Sequence, residues 1–259
     1  MKILIATDLE GVCGVYRFEQ VREYGTPANI EARHLLMGEV NAAIIGAFDG
    51  GATHVLVSDG HAGSKNFFVE DLDERAEVIM GSYSLYDTIL HQGFDGGVLL
   101  GYHSMSHTVN GILCHTHNSM TWDNYWINGR LAGEIEQSAI ILGACEIPVI
   151  MVTGDDKTVV ETRNLLGKDI VTVQVKTGLS REGAVMYSPI KACAMISEGM
   201  REAMRKVGKI EPYKPDFPLK IRWQFKDSGI VDRYDGDAKR IDATTLEKTV
   251  MKPEEIILP

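Results

Sequence analysis

Lys2-Ile3-Leu4-Ile5-Ala6-Thr7-Asp8-Leu9-Glu10-Gly11 is a short, continuous apolar run that breaks on two carboxylates. A run without polar alternation suits a strand buried on both faces, as in a parallel sheet covered by helices. The segments beyond it continue the theme. Glu31–Phe48 places Leu35, Leu36, Val40, Ala43, Ile44 and Ala47 at helical spacing and meets Gly50-Gly51, where a helix should stop. His54–Ser58, Val98–Gly101, Pro148–Thr153 and Ile170–Lys176 read as further buried strands. Helices are expected around Ser84–His91, over Glu134–Ala144 and Asp155–Leu166, and from Ser188-Pro189 to about Val207. Such alternation means an α/β fold, a mostly parallel sheet flanked by helices. After Gly208 the texture changes. Pro212, Pro215 and Pro218 mark a boundary, and Leu219–Phe225 alternates like an antiparallel strand. Residues 1–211 are therefore expected to form the α/β domain and 212–259 a smaller β-rich C-terminal part.

Composition narrows the function. At 259 residues the chain is long enough to bury a large core, and its net charge of −10 argues against a nucleic-acid partner. No apolar run approaches the ~20 residues that span a bilayer, so no membrane association is expected. The N-terminal apolar stretch is too short for a signal peptide, with Asp8 and Glu10 standing where a cleavage site would be. Cys13, Cys114, Cys145 and Cys193 are scattered, as expected of reduced thiols in a cytoplasmic protein.

In open α/β sheets ligands sit beyond the carboxyl ends of the strands. The first expected strand delivers Asp8 and Glu10 there, the second Asp59-Gly60-His61, the third Tyr102-His103 and the fourth Gly154-Asp155-Asp156. Any one of these residues alone could cap a helix or sit in a turn. Carboxylates and imidazoles on every strand end are instead the donor set that zinc takes. Asp8, at the end of a central-looking strand, is the natural carboxylate to bridge two ions and so to serve a two-metal hydrolase. Asp155 is expected to orient a ligand from behind. Cys114, His115 and His117 offer only a weak soft-metal signal, because no second cysteine pair accompanies them. If that segment is extended, His115 and His117 point to the same side.

As an ordered set, these motifs resemble the bacterial zinc D-aminopeptidase family of dipeptide-transport operons. The resemblance runs from Ile3 to about Ser197. It rests on Thr7-Asp8-Leu9-Glu10-Gly11, Ser58-Asp59-Gly60-His61, Gly101-Tyr102-His103 and Leu113-Cys114-His115-Thr116. It continues in Asn128-Gly129, Gly133-Glu134, Gly154-Asp155-Asp156 and Val175-Lys176-Thr177-Gly178-Leu179. The resemblance implies two zinc ions per chain, one on Asp8, Glu10 and His61 and the other on Asp8, His103 and Glu134. It also implies His115 as the catalytic residue and removal of the N-terminal residue from short peptides. D-aminoacyl substrates follow from the likeness, with L-aminoacyl ones left open. A ring-shaped homo-oligomer, a decamer, is implied as well. The chain departs from the family pattern at 104–110, where His107 stands in a stretch usually built of small residues.

Two other readings use the same residues. Asp8-Leu9-Glu10 resembles the nucleophile frame of a magnesium-dependent haloacid-dehalogenase-like phosphatase, but the second acid is Glu10 and Val159 stands where that motif needs an aspartate. A non-catalytic metal-binding ring subunit would use the ligands and leave His115 without a task.

Overall fold

Ile3 and Ile5 are wholly buried against one layer of helices and Leu4 against the other, as a strand covered on both faces requires. This strand, β1 (Lys2–Thr7), pairs in parallel with β2 (His54–Asp59) on one side and β4 (Gly96–Leu100) on the other. The computed structural model describes residues 1–81 and 89–257. Its larger sheet adds β3 (Glu77–Ile79), β7 (Val149–Asp155), β8 (Val171–Ser180) and β9 (Gly183–Met186) in the order β3-β2-β1-β4-β7-β8-β9. The pairs are parallel except for the last, where β9 returns antiparallel along β8. That hairpin is why β8 runs on to Ser180, past the Lys176 where the apolar run ends. The fold is thus mostly parallel α/β, as expected.

Helix α1 is a single short piece, Phe18–Arg22. The long helix α2 spans Pro27–Asp49 and begins before Glu31 because Thr26 caps it. The Thr26 hydroxyl accepts from the Asn29 amide at 3.2 Å, and Pro27 fills the first turn, where a missing N–H costs nothing. It packs on α5 (Pro189–Met204), so closely at Gly46 that a Cβ there would lie 2.5 Å from the Ser197 carbonyl oxygen. On the other face lie α3 (Glu134–Ala144) and α4 (Asp156–Leu166). Of the helix expected around Ser84–His91, residues 84–88 lie outside the described residues, and Leu90–Gln92 forms one 3-10 turn.

A second sheet is wholly antiparallel, in the order β11-β12-β10-β5-β6. Its strands are β5 (Trp122–Ile127), β6 (Arg130–Leu131), β10 (Leu219–Phe225), β11 (Lys239–Arg240) and β12 (Thr245–Val250). The last three were expected as a C-terminal β-rich part. That part does not build its sheet alone, because β10 pairs with β12 on one edge and with β5 on the other. Helix α3 lies between the sheets: Ile135, Ala139 and Leu142 pack toward the parallel sheet, while Ile140 joins Tyr125, Ile221 and Trp223 under the second. Glu134 is the first residue of α3.

Strand order reverses at β1, since the chain moves outward to β2 and β3 and then returns to β4 on the opposite side. A crevice opens beyond the carboxyl ends of β1 and β4, where such sheets bind ligands. Asp8 follows β1 there, and His103 follows β4. Their loops touch backbone to backbone. Gly11 N–H donates to the Gly101 carbonyl at 2.7 Å, and a Cβ on Gly101, whose φ is +73°, would lie 2.4 Å from the Asp8 carbonyl oxygen. Only glycine permits that approach.

Candidate metal centre

All six singled-out residues, Asp8, Glu10, His61, His103, His115 and Glu134, come together in this crevice. His61 Nδ1 lies 3.0 Å from Asp8 Oδ1 and 3.1 Å from Glu10 Oε2. His103 Nε2 lies 3.4 Å from Asp8 Oδ2 and 3.3 Å from Glu134 Oε1. His115 Nε2 stands further off, 4.0 Å from Glu10 Oε1 and 3.9 Å from Glu134 Oε1. Its ring stacks on that of His103, with centroids 4.2 Å apart.

The backbone fixes the tautomer of each imidazole. His61 Nε2 is 2.9 Å from the Val21 carbonyl, His103 Nδ1 3.0 Å from the Ser104 carbonyl and His115 Nδ1 2.8 Å from the Leu113 carbonyl. A carbonyl only accepts, so these nitrogens carry protons, and the other nitrogen of each ring faces the carboxylates, where it holds a second proton or, when neutral, offers its lone pair to a cation. A neutral imidazole nitrogen facing carboxylate oxygens is repelled unless a proton or a metal cation lies between them. Asp8 Oδ2, Glu10 Oε2 and His103 Nε2 are all buried without a hydrogen-bond partner, an arrangement costly in the interior. Two donors on one tetrahedral zinc at ~2.0–2.2 Å stand about 3.3–3.6 Å apart. The His103 spacings match that edge length. Donor atoms within 4.8 Å of one another form two groups, Asp8, Glu10 and His103, and His103, His115 and Glu134.

Protons and cations compete for the same places. Burial, and next the Glu10 charge, push the Asp8 carboxyl up to about 7. Burial alone would lower His61 and His103, but the carboxylates facing them, Glu10 and Glu134 first, hold both well above the usual imidazole range. Glu10 and Glu134 are correspondingly held well below the carboxylate range, burial being outweighed by His61 and His103 respectively. His115 goes the other way. Burial and the neighbouring His103 charge push it down to about 4, leaving it neutral with a free lone pair on Nε2.

Supports for the site come from distant elements. Lys176 on β8 is wholly buried and donates to the carbonyls of Glu10, Val12 and Val15 at 2.5, 2.9 and 2.6 Å. Glu39 on α2 accepts from the Cys13 amide at 2.8 Å. Together they clamp the loop that carries Glu10. Neither role is legible in the local sequence, because a buried lysine or glutamate declares its partners only after folding. Asp155 does not orient a ligand directly. It caps α4 through the Lys157 and Thr158 amides and accepts from the Ile112 amide at 2.7 Å, anchoring the loop that bears His115.

Residues 112–117 are not extended, since Leu113 and His117 have φ of +51° and +55°. His115 and His117 still line one cavity but make different contacts. The His117 amide donates to Glu134 Oε1 at 2.7 Å, and its ring lies against Trp122. Cys114 Sγ turns toward the Thr108 carbonyl, away from any soft-metal set. His107, at the tip of 104–110, pairs with Asp123 at 2.8 Å on the surface. A cavity of about 560 Å³ opens on Asp8, Glu10, His61, His115 and Glu134, the size of a small-ligand site.

Comparison with known proteins agrees with this geometry. The peptidase M55 family, described as D-aminopeptidase, matches residues 1–257. A D-aminopeptidase of Bacillus subtilis (strain 168) is 32% identical over 219 residues, 83% of this chain and 78% of that protein. The solved structure of the zinc-dependent D-aminopeptidase DppA from Bacillus subtilis, described as a self-compartmentalizing protease, superposes with a TM-score of 0.91. It is 27% identical and covers 99% of this chain and 94% of its own.

Proposed function

The chain belongs to the peptidase M55 family of D-aminopeptidases, and on that premise we propose how its residues carry out zinc-dependent aminopeptidase chemistry. Asp8, Glu10 and His61 would hold one zinc ion, and Asp8, His103 and Glu134 the other. The observation that carries this assignment is the orientation of His61 and His103, each with one ring nitrogen held by a backbone carbonyl and the other facing two carboxylates. Zinc, when bound, supplies Lewis acidity toward the scissile carbonyl and toward water. Membership of a peptidase family sets aside the phosphatase reading of Asp8.

His115 is the catalytic residue. Its Nδ1 proton is committed to the Leu113 carbonyl, so proton movement takes place at Nε2, which faces Glu10 and Glu134. Its longer spacings to the carboxylates support a place beside the ions and not among the ligands. Neutral at working pH, the ring takes a proton and returns it to the departing amine. The cavity admits only a small peptide.

The substrates are short peptides with a D-residue at the N-terminus. The chain self-associates into a closed ring, a decamer, which would confine access to the sites. Among the described residues no helix is long and apolar enough to cross a membrane, and the four cysteines are free thiols, in keeping with a cytoplasmic protein. Hydrolysis of D-alanylglycine and L-alanylglycine by zinc-loaded protein tests the substrate reading. Release of alanine from the D-peptide at a much higher rate supports it; cleavage of neither peptide would remove it.

A further inference from the structure

Three cations stand beside His115 outside any salt bridge among the described residues, in a chain whose net charge is −10. Arg22 and Arg181 lay their guanidinium groups over the same ring, that of Phe18, at 3.6 and 4.6 Å from its centroid. The Phe18 ring meets the His115 imidazole edge-on at 6.4 Å. One aromatic ring therefore separates the imidazole from both guanidinium groups. Lys226 shares an anchor with Arg22: Arg22 Nε donates to the Ser119 hydroxyl at 3.0 Å, and Lys226 Nζ to the Ser119 carbonyl at 2.7 Å. Arg181 Nη2 donates to the carbonyl of Cys114, the residue before His115, at 3.2 Å.

All three cations are thus positioned by neutral acceptors on the loop that carries His115. None forms an ion pair among the described residues. Three acids face them at longer range, Glu182 and Glu10 near Arg22 and Asp123 near Lys226, each with a nearer hydrogen-bonding or ion-pairing partner. Glu182, near Arg22, accepts from the Phe18 amide at 3.1 Å, and Asp123, near Lys226, pairs with His107 at 2.8 Å. Burial, and next the Arg181 charge, push both Arg22 and Lys226 below their ordinary values, so the cluster is under mutual repulsion. Arg22 lines the 560 Å³ cavity with Asp8 and His115, while Arg181 and Lys226 line a smaller one of 230 Å³ on which His115 also borders. Convergent positive charge at the edge of a reaction site is built for an anion. The planar guanidinium fork suits a carboxylate in particular.

We propose that Arg22, Arg181 and Lys226 form the receptor for the free C-terminal carboxylate of the peptide being cut. The inference rests on the aminopeptidase reading and adds a substrate class to it: peptides with an unblocked C-terminus. Each extended residue spans ~3.3–3.6 Å, so a carboxylate held one ring beyond His115 fits peptides of about two or three residues. Such remote binding orients the scissile bond and excludes long chains by geometry.

The test compares D-alanylglycine with D-alanylglycinamide, which share the scissile bond and differ only in the terminal charge. The dipeptide acid should be preferred by about tenfold or more in kcat/KM, through KM, as loss of one charge-assisted contact predicts. Arg22→Gln and Arg181→Gln should each lower the acid-to-amide ratio toward one. In the unsubstituted enzyme KM for the acid should rise with ionic strength while that for the amide stays level. Equal kcat/KM on acid and amide, or variants that slow both alike, would overturn the carboxylate receptor and leave the aminopeptidase reading standing. Cleavage of neither would remove the aminopeptidase reading, and the receptor with it.

Discussion

Replacing Lys176 with methionine removes three hydrogen bonds to the Glu10, Val12 and Val15 carbonyls and keeps most of the side-chain volume. Hydrogen bonds from a charged donor contribute about 1.5–3 kcal/mol each, so the gross loss is roughly 5–9 kcal/mol. Against this, methionine does not carry the burial of a charge. Burial pushes the Lys176 ammonium from 10.5 down to about 8, worth about 3 kcal/mol at 1.36 kcal/mol per pKa unit. The net destabilisation expected for Lys176→Met is therefore roughly 2–6 kcal/mol, a large part of the 5–15 kcal/mol typical of a folded protein. Urea unfolding of the metal-free protein, followed by tryptophan fluorescence, measures it. The loss should also reach the site, because the released loop carries Glu10. Zinc should bind more weakly in the variant, with one ion per chain affected more than the other. A destabilisation below about 1 kcal/mol with unaltered zinc affinity would refute the claim that Lys176 holds the loop, since three buried carbonyls cannot lose their donor at no cost.

His115→Ala should keep its zinc and lose roughly 10²–10⁴-fold in kcat with little change in KM, read by steady-state kinetics alongside metal analysis. Loss of zinc in that variant would make His115 a ligand. Glu39 gives a pH signature, because burial pushes its carboxyl from 4.5 up to about 7. A raised carboxyl contributes its stability in full below the unfolded value and loses it as pH rises through the folded one. Glu39→Gln should consequently gain on the unsubstituted protein by about 3 kcal/mol between pH 4.5 and pH 8, measured by urea unfolding of the metal-free forms. An equal difference at both pH values would show that Glu39 does not titrate between them.

The parallel sheet was legible because burial on both faces leaves a mark that short strands such as Ile3–Ile5 cannot hide. The gathering of Asp8, Glu10, His61 and His103 was legible for a related reason, since β1, β2 and β4 each release the chain at the same edge, whereas Glu134 on a helix start came only from the family likeness. The hairpin of β5 and β6 was missed, although Asn128-Gly129 is a strong two-residue hairpin signal and both residues have positive φ, +50° and +80°. Its inner strand, Trp122–Ile127, is separated from its partner β10 by a long stretch of chain, so nothing local tied the hairpin to the C-terminal strands. The sharp turns at Leu113 and His117 were illegible because Asp155, Arg181 and Glu134 impose them from elsewhere in the chain. Lys176 and the cations around Phe18 acquire meaning only in three dimensions.

Metal analysis of purified Asp8→Ala beside the unsubstituted protein, His61→Ala and His103→Ala tests the two-ion site most directly. With Asp8 as the bridge, the unsubstituted protein should carry about two zinc ions per chain, as two-metal hydrolases do, and Asp8→Ala should lose both. His61→Ala and His103→Ala should each weaken a different one. A reproducible single ion per chain that persists unchanged in His103→Ala would contradict the bridged two-zinc centre.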